Sequence, residues 1–240
     1  MTALLRGEWI KFRSVRSTWV MVGVALALAL LISGIAADSI ERRRPVETLA
    51  VSSTFVFVLL LVLGIQFIAQ EYRFGTIRAT FTAVPDRRRL LLAKTLFGVG
   101  VGLVTALVAV VGSFLVASIV LNGDGRSIPF DAHLAEMATG YVLVAGLSVG
   151  FGIGVGAITR NPALGITAVL LDMFVLESLV TVFVSEDVGS VLPFTASFAS
   201  IPSNGGSSGL SPWYVALAVY AVWAIGLLVI GAVVVERRDP

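Results

Sequence analysis

The sequence predicts an all-α integral membrane protein, one transmembrane domain over residues 1–240 with six spanning helices. Three observations carry this. Hydrophobic residues make up 57% of the chain and charged residues only 13%, about half the charged share of an ordinary soluble domain. The mean hydropathy is +0.97. Six stretches reach the ~20 mostly apolar residues that a helix needs to cross a hydrocarbon core about 30 Å thick. Too little polar surface exists to cover a water-soluble globule, so lipid must solvate much of the chain.

The spans are expected at residues 18–37, 49–69, 95–121, 134–158, 164–184 and 212–235. The first reads as a retained signal anchor, since no small-residue cleavage site leads into a soluble domain. The third is long enough to tilt.

Orientation follows from the cations. An even number of spans puts both termini on one side. That side holds Arg6, Lys11, Arg13, Arg16, Arg73, Arg78, Arg87, Arg88, Arg89, Lys94, Arg160, Arg237 and Arg238. The other side holds Arg42, Arg43, Arg44 and Arg126. Both termini are therefore expected in the cytoplasm, and the protein in the cell membrane. The Arg42–Arg44 triplet is the local conflict, softened by Asp38, Glu41 and Glu47.

Several function classes fall away. Cysteine is absent and His133 is the single histidine. No disulfide framework, thiolate zinc site, cysteine nucleophile or multi-histidine metal centre is available. The net charge of +2 resides in arginines that flank apolar runs, not in a basic soluble module, so no nucleic-acid partner is expected. No metal site, bound cofactor or catalytic Ser/His/Asp set is expected in this chain.

Before the first span, Leu4, Leu5, Trp9, Ile10 and Phe12 mix with Arg6, Lys11, Arg13 and Arg16 over residues 1–17. That composition suits a helix lying in the membrane interface, aromatics toward acyl chains and cations toward phosphates. A plain basic flank is the alternative. Between the fifth and sixth spans, residues 185–211 form the longest outer loop. Its Gly/Ser tract at 203–209 is a turn. The apolar stretch 188–201 suggests short helices re-entering the outer leaflet, which only protein contact can tolerate.

The link at 70–94 is the longest charged stretch. Gly75 breaks the second helix, and Thr76 is expected to N-cap a short helix. Pro85 should stop that helix. The product is an amphipathic helix of two to three turns with Arg78, Phe81 and Val84 exposed, parallel to the membrane. A soluble partner could grip it as a lever; a solvated basic loop is the alternative.

The pattern Glu71, Gly75, Thr76, Pro85, Arg87 and Lys94 resembles the signature of ABC-2 type transporter permeases. Glu8 and Lys11 resemble the family's N-terminal elbow helix. Leu192-Pro193 is similar to its re-entrant region, and the Glu236-Arg237-Arg238-Asp239 ending is also typical. The resemblance implies that the 70–94 link carries a coupling helix, with Glu71, Gly75, Thr76, Arg78, Pro85, Arg87 and Lys94 coupling it to a cytosolic ATPase subunit. It implies a dimer with a second permease copy or homologue, and export of a hydrophobic or amphiphilic drug, lipid or peptide. The chain has no phosphate-binding G-x-x-x-x-G-K-[ST] loop, so ATP and Mg are expected on the partner.

Asp172 and Glu177 lie inside the fifth span, where an ionisable group facing lipid costs at least about 2.5 kcal/mol. No Lys or Arg in any span is available to pair with them, and an α-helix sets them about 140° apart. They read as a translocation path or as a hydrogen-bonded packing site. An ion-coupled secondary transporter or channel would make them central; a membrane-embedded enzyme lacks a nucleophile or metal set. Gly146, Gly150, Gly152, Gly154 and Gly156 read as close helix packing or as a mobile, bendable fourth helix, not as a dinucleotide loop. Trp9, Trp19, Tyr141, Trp213 and Tyr214 read as interfacial anchors, and His133 as an interfacial residue.

Overall fold

The computed structural model describes residues 1–39, 47–84, 86–123, 125, 127–128, 130–202 and 212–237. Glu41, Arg42, Arg43, Arg44, Pro85, Arg126, the 203–209 tract, Arg238 and Asp239 lie outside the described residues. All secondary structure among the described residues is helical. Six helices are long and apolar enough to cross a membrane.

Helix α1 (Thr2–Ser14) precedes the first span α2 (Arg16–Ser39). The second span α3 (Glu47–Arg73) is followed by the short α4 (Ile77–Ala83) and the third span α5 (Arg87–Gly123). The fourth span is α6 (Ala132–Thr159). The fifth joins α7 (Pro162–Leu171), a π-helical turn (Asp172–Leu176) and α8 (Glu177–Phe183). Two short helices, α9 (Glu186–Ser190) and α10 (Pro193–Ala199), precede the last span α11 (Trp213–Arg237). The end of the bundle holding α1 and the end of α11 is called proximal below; the other is distal.

Helix α6 is the hub. Its apolar window is 72% buried, against 17–50% for the other spans, and it packs against α3, α5 and α11. The expected glycine packing is found there. A Cβ on Gly152 would collide with the backbone of α3 at the Leu61 carbonyl, and one on Gly154 would lie 2.7 Å from the Leu227 carbonyl carbon of α11. Small residues thus let the backbones touch, the main route to helix association in lipid. Hydroxyls add polar ties. Ser33 Oγ donates to the Ser113 carbonyl (3.0 Å) and Ser113 Oγ to the Ala29 carbonyl (3.3 Å), stitching α2 to α5. Tyr220 donates to Ser148 Oγ (3.0 Å), joining α11 to α6.

Three details differ from expectation. The third helix contains the expected span 95–121 but begins at Arg87, about two turns earlier. Asp86 Oδ1 accepts from the Arg89 amide (3.1 Å), and Leu90, Leu91 and Lys94 are buried in the bundle, so the charged run starts a helix instead of a loop. Thr76 occupies the N-cap position of α4 without a capping side-chain bond; its hydroxyl turns back to the Glu71 carbonyl (3.5 Å). Tyr141 is no lipid-facing anchor: at 4% exposure it belongs to the core.

The fourth and fifth spans meet in a tight turn. Arg160 is left-handed (φ 54°), Asn161 caps α7 by accepting from the Ala163 (2.9 Å) and Leu164 (3.2 Å) amides, and Pro162 fills the first turn, where its missing N–H costs nothing. Asp131 caps α6 in the same manner through the Leu134 amide (2.9 Å).

Candidate functional site

The proximal end is built around one buried ammonium. Lys94 projects from the first turns of α5 with its side chain 1% exposed. A lone buried cation is costly, so its partners decide whether the fold is viable. Nζ lies 3.1 Å from both Glu8 carboxylate oxygens, 2.6 Å from Glu71 Oε1 and 3.4 Å from the Phe67 carbonyl. Lys11 closes the ring, reaching Glu8 Oε1 at 3.2 Å and Glu71 Oε1 at 2.9 Å. Two carboxylates and two ammoniums thus join α1, α3 and α5.

The four residues come from three distant places in the sequence, and the fold gathers them. Glu8 and Lys11 share a face because residues three apart are neighbours on a helix. Burial works against the Lys11 charge, but Glu71 and then Glu8 outweigh it and hold the Lys11 pKa above its ordinary value. Beside the network, Phe12 packs on Trp9, Trp19, Phe67 and Phe97. These rings seat α1 on the bundle. A cavity of about 530 Å³ opens next to it, between α1, α3 and α4, lined by Phe12, Leu63, Phe67 and Phe74 with Gln66 and Glu71 at its polar part.

Glu71 lies in the last turn of α3, just before the turn into α4. Two residues past Arg73, Gly75 takes φ +70° and reverses the chain, a conformation that costs other residues. Helix α4 then presents Arg78, Ala79, Thr82 and Ala83 outward. Ile77 is buried, and Phe81 and Val84 are half-buried instead of exposed. Phe81 is covered because the Arg87 guanidinium lies over its ring, 4.8 Å from the centroid.

Arg87 also donates to the carbonyls of Val235 (2.9 Å) and Glu236 (3.3 Å), at the end of α11. Arg88 pairs with the Glu236 carboxylate through Nε and through Nη2 (2.8 Å). Arg160 donates to the Val234 carbonyl (3.0 Å) and lies over the Tyr72 ring of α3 at 4.8 Å. Cations are favoured at a helix C-terminus, where carbonyls lack intrahelical partners. In the sequence Arg160 reads only as a topology-setting cation and Arg87 as that and a coupling residue, while Tyr72 carries no signal of this contact.

The distal acidic pair is resolved differently for its two members. Glu177 is 3% exposed. Its carboxylate accepts from the Phe194 amide (2.6 Å), the Thr195 amide (2.7 Å) and Thr195 Oγ1 (2.8 Å). Pro193 has no N–H, so Glu177 takes the first two free amides of α10. Asp172 is half-buried at the start of the π turn. The Glu177 amide bonds to the Asp172 carbonyl, an i→i+5 closure that brings the pair nearer in azimuth than an α-helix would. The expected Leu192-Pro193 signal opens α10, which packs on α11; Phe194 sits against Phe57 and Phe151. Glu136 is exposed and His133 half-buried.

No curated protein matches the sequence. The family model described as ABC-2 family transporter protein matches residues 4–176, a stretch that holds the whole charge network, α4 and the α6 hub. The chain therefore belongs to the ABC-2 transporter family, a multi-pass membrane permease with six apolar helices.

Proposed function

We propose that this chain is the permease subunit of an ATP-driven exporter in the cell membrane, with both termini cytoplasmic. A cytosolic ABC ATPase docks on α4, and two permease copies, or one with a homologue, complete the pathway. ATP and Mg are handled by the ATPase. Helix α1 acts as the elbow helix and α4 as the coupling helix.

The observation that carries this reading is the way α4 is mounted. It offers an outward face of Arg78, Ala79, Thr82 and Ala83. It is joined through Glu71 to a buried network on α1 and α5 and through Phe81 to Arg87. A push on α4 therefore reaches several spans at once. Nucleotide on the partner biases a two-state equilibrium between inward-open and outward-open bundles.

The cavity beside Phe12 and Phe67 supports an amphiphilic cargo, such as a drug, lipid or hydrophobic peptide, since apolar walls with a few polar groups suit a ligand with both characters. Asp172 is the candidate polar group on the route. The ion-coupled alternative needs Asp172 and Glu177 to exchange a cation, and Glu177 is occupied by α10. Purification from membranes should bring down a soluble ATPase. Deleting residues 75–85 should leave ATP hydrolysis uncoupled from transport; coupled transport in that deletion overturns the reading.

A further inference from the structure

We propose that Arg87 and Arg160 are positioning residues that make the end of α11 follow α3 and α4, so that the last span is driven by the same lever as the second and third. This rests on the coupling reading above for its mechanical consequence, but the clasp itself does not.

Each arginine does two things at once. Its guanidinium carbon lies over an aromatic ring of the driving side, Phe81 of α4 for Arg87 and Tyr72 of α3 for Arg160, both 4.8 Å from the centroid. Its N–H groups donate to α11 carbonyls: Val235 and Glu236 for Arg87, Val234 for Arg160. Three consecutive carbonyls at the end of α11 are thereby held from two separate elements, the start of α5 and the turn between α6 and α7. Arg88 adds an ion pair to the Glu236 side chain.

The chemistry selects arginine. A planar, permanently charged fork can stack and donate edge-on together, whereas an ammonium is a point donor on a flexible stem. The α11 end needs donors in any case, because its last carbonyls have no intrahelical partner. Solvent could supply these donors, but solvent would not tie α11 to Phe81 and Tyr72.

The test uses the full chain with its ATPase in nanodiscs and two readouts. The first is hydrogen exchange of the last turn of α11 in the permease alone. Arg87→Lys and Arg160→Lys keep the charge and should still speed exchange there about ten- to hundredfold, the worth of one or two charge-assisted bonds. Phe81→Leu should leave that exchange near the parent's, since it removes the stack and not the donors. The second readout is transport per ATP hydrolysed. It should fall in Arg87→Lys and also in Phe81→Leu.

Unchanged α11 exchange in both arginine variants overturns the clasp. A full transport-to-ATP ratio in Phe81→Leu and Arg87→Lys overturns the transmission role. If no ATPase associates at all, the coupling reading fails, and the exchange result still decides the clasp.

Discussion

Replacing Lys94 by Met tests the proximal network most directly. Methionine matches the length of the lysine stem and strips the charge from a site 1% exposed. Glu8 and Glu71, with side chains 7% and 13% exposed, then face each other with only Lys11 between them. Removing one partner of a buried pair costs about 3–5 kcal/mol. At about 2–4 °C per kcal/mol for a chain of this length, that lowers the melting temperature by about 6–20 °C. Lys11→Met should behave otherwise. The Lys11 side chain is 45% exposed, so solvent screens its pairs and the loss is about 0–1 kcal/mol. A sign follows for pH as well. The Lys11 pKa is raised, so its contribution is complete below the ordinary lysine value of about 10.4 and fades only above it. The difference between Lys11→Met and parent should be flat across neutral pH. The triple variant Glu8→Gln, Glu71→Gln, Lys94→Met should recover much of the loss, because no uncompensated charge stays buried. The assay is thermal unfolding in detergent, followed by tryptophan fluorescence. A Lys94→Met protein that melts within about 2 °C of the parent, or a triple variant no better than the single, refutes the view that charge pairing holds this end together.

Two further substitutions probe single features. Gly75→Ala should cost about 1–2 kcal/mol from its left-handed backbone alone, since a Cβ there meets no atom within 4 Å; Gly75→Asn should sit between the two in thermal stability, and equal melting of all three would remove the argument from φ. Glu177→Ala strips three bonds from the start of α10 and should raise hydrogen exchange at Phe194 and Thr195 at least about tenfold, with Glu177→Gln retaining part of the protection.

The spans were legible because hydrophobic run length is a local property. The charge network was not, because Glu8 and Lys94 are 86 positions apart. The sequence names both residues through separate motifs and gives no sign that they touch. The same blindness displaced the start of α5: a run of Arg87, Arg88, Arg89 and Lys94 looks solvated until its partners in α1, α3 and α11 are known. The error at Tyr141 has a similar origin, since proximity to a span boundary does not say which side of the helix a ring occupies. Other local signals are legible in the chain itself. Asn161-Pro162 combines a capping amide with a first-turn proline. Pro193 likewise marks a helix start whose free amides need an acceptor, and a glutamate inside the preceding span could supply it. The π turn at Asp172 has no signal in residue spacing, so the 140° estimate for the acidic pair assumed a regularity that this helix lacks.

The contrast between Gly150 and Gly152 shows how finely α6 is fitted and gives a test with opposite signs. Both lie in one helix, two residues apart, so propensity treats them alike: alanine should gain about 1 kcal/mol over glycine at either. Surroundings separate them. At Gly150 an added Cβ would have the Leu228 and Val99 methyl groups as its nearest neighbours, both at 3.6 Å, which is ordinary contact. At Gly152 it would press on the Leu61 carbonyl and lie 2.9 Å from the Ile65 amide nitrogen. Side chains can yield by rotating, but here the obstacle is the backbone of α3, which is itself hydrogen-bonded. The helices must separate, and overpacking of this kind costs about 1–3 kcal/mol. Gly150→Ala should therefore melt above the parent, and Gly152→Ala below it, less stable by up to about 2 kcal/mol once the propensity gain is set against the overpacking. Because α6 packs on α3 at this contact, Gly152→Ala should also loosen α3 in hydrogen exchange while leaving the α2–α5 serine ties unchanged. If the two variants melt alike, close backbone contact is not what holds α3 and α6 as one body.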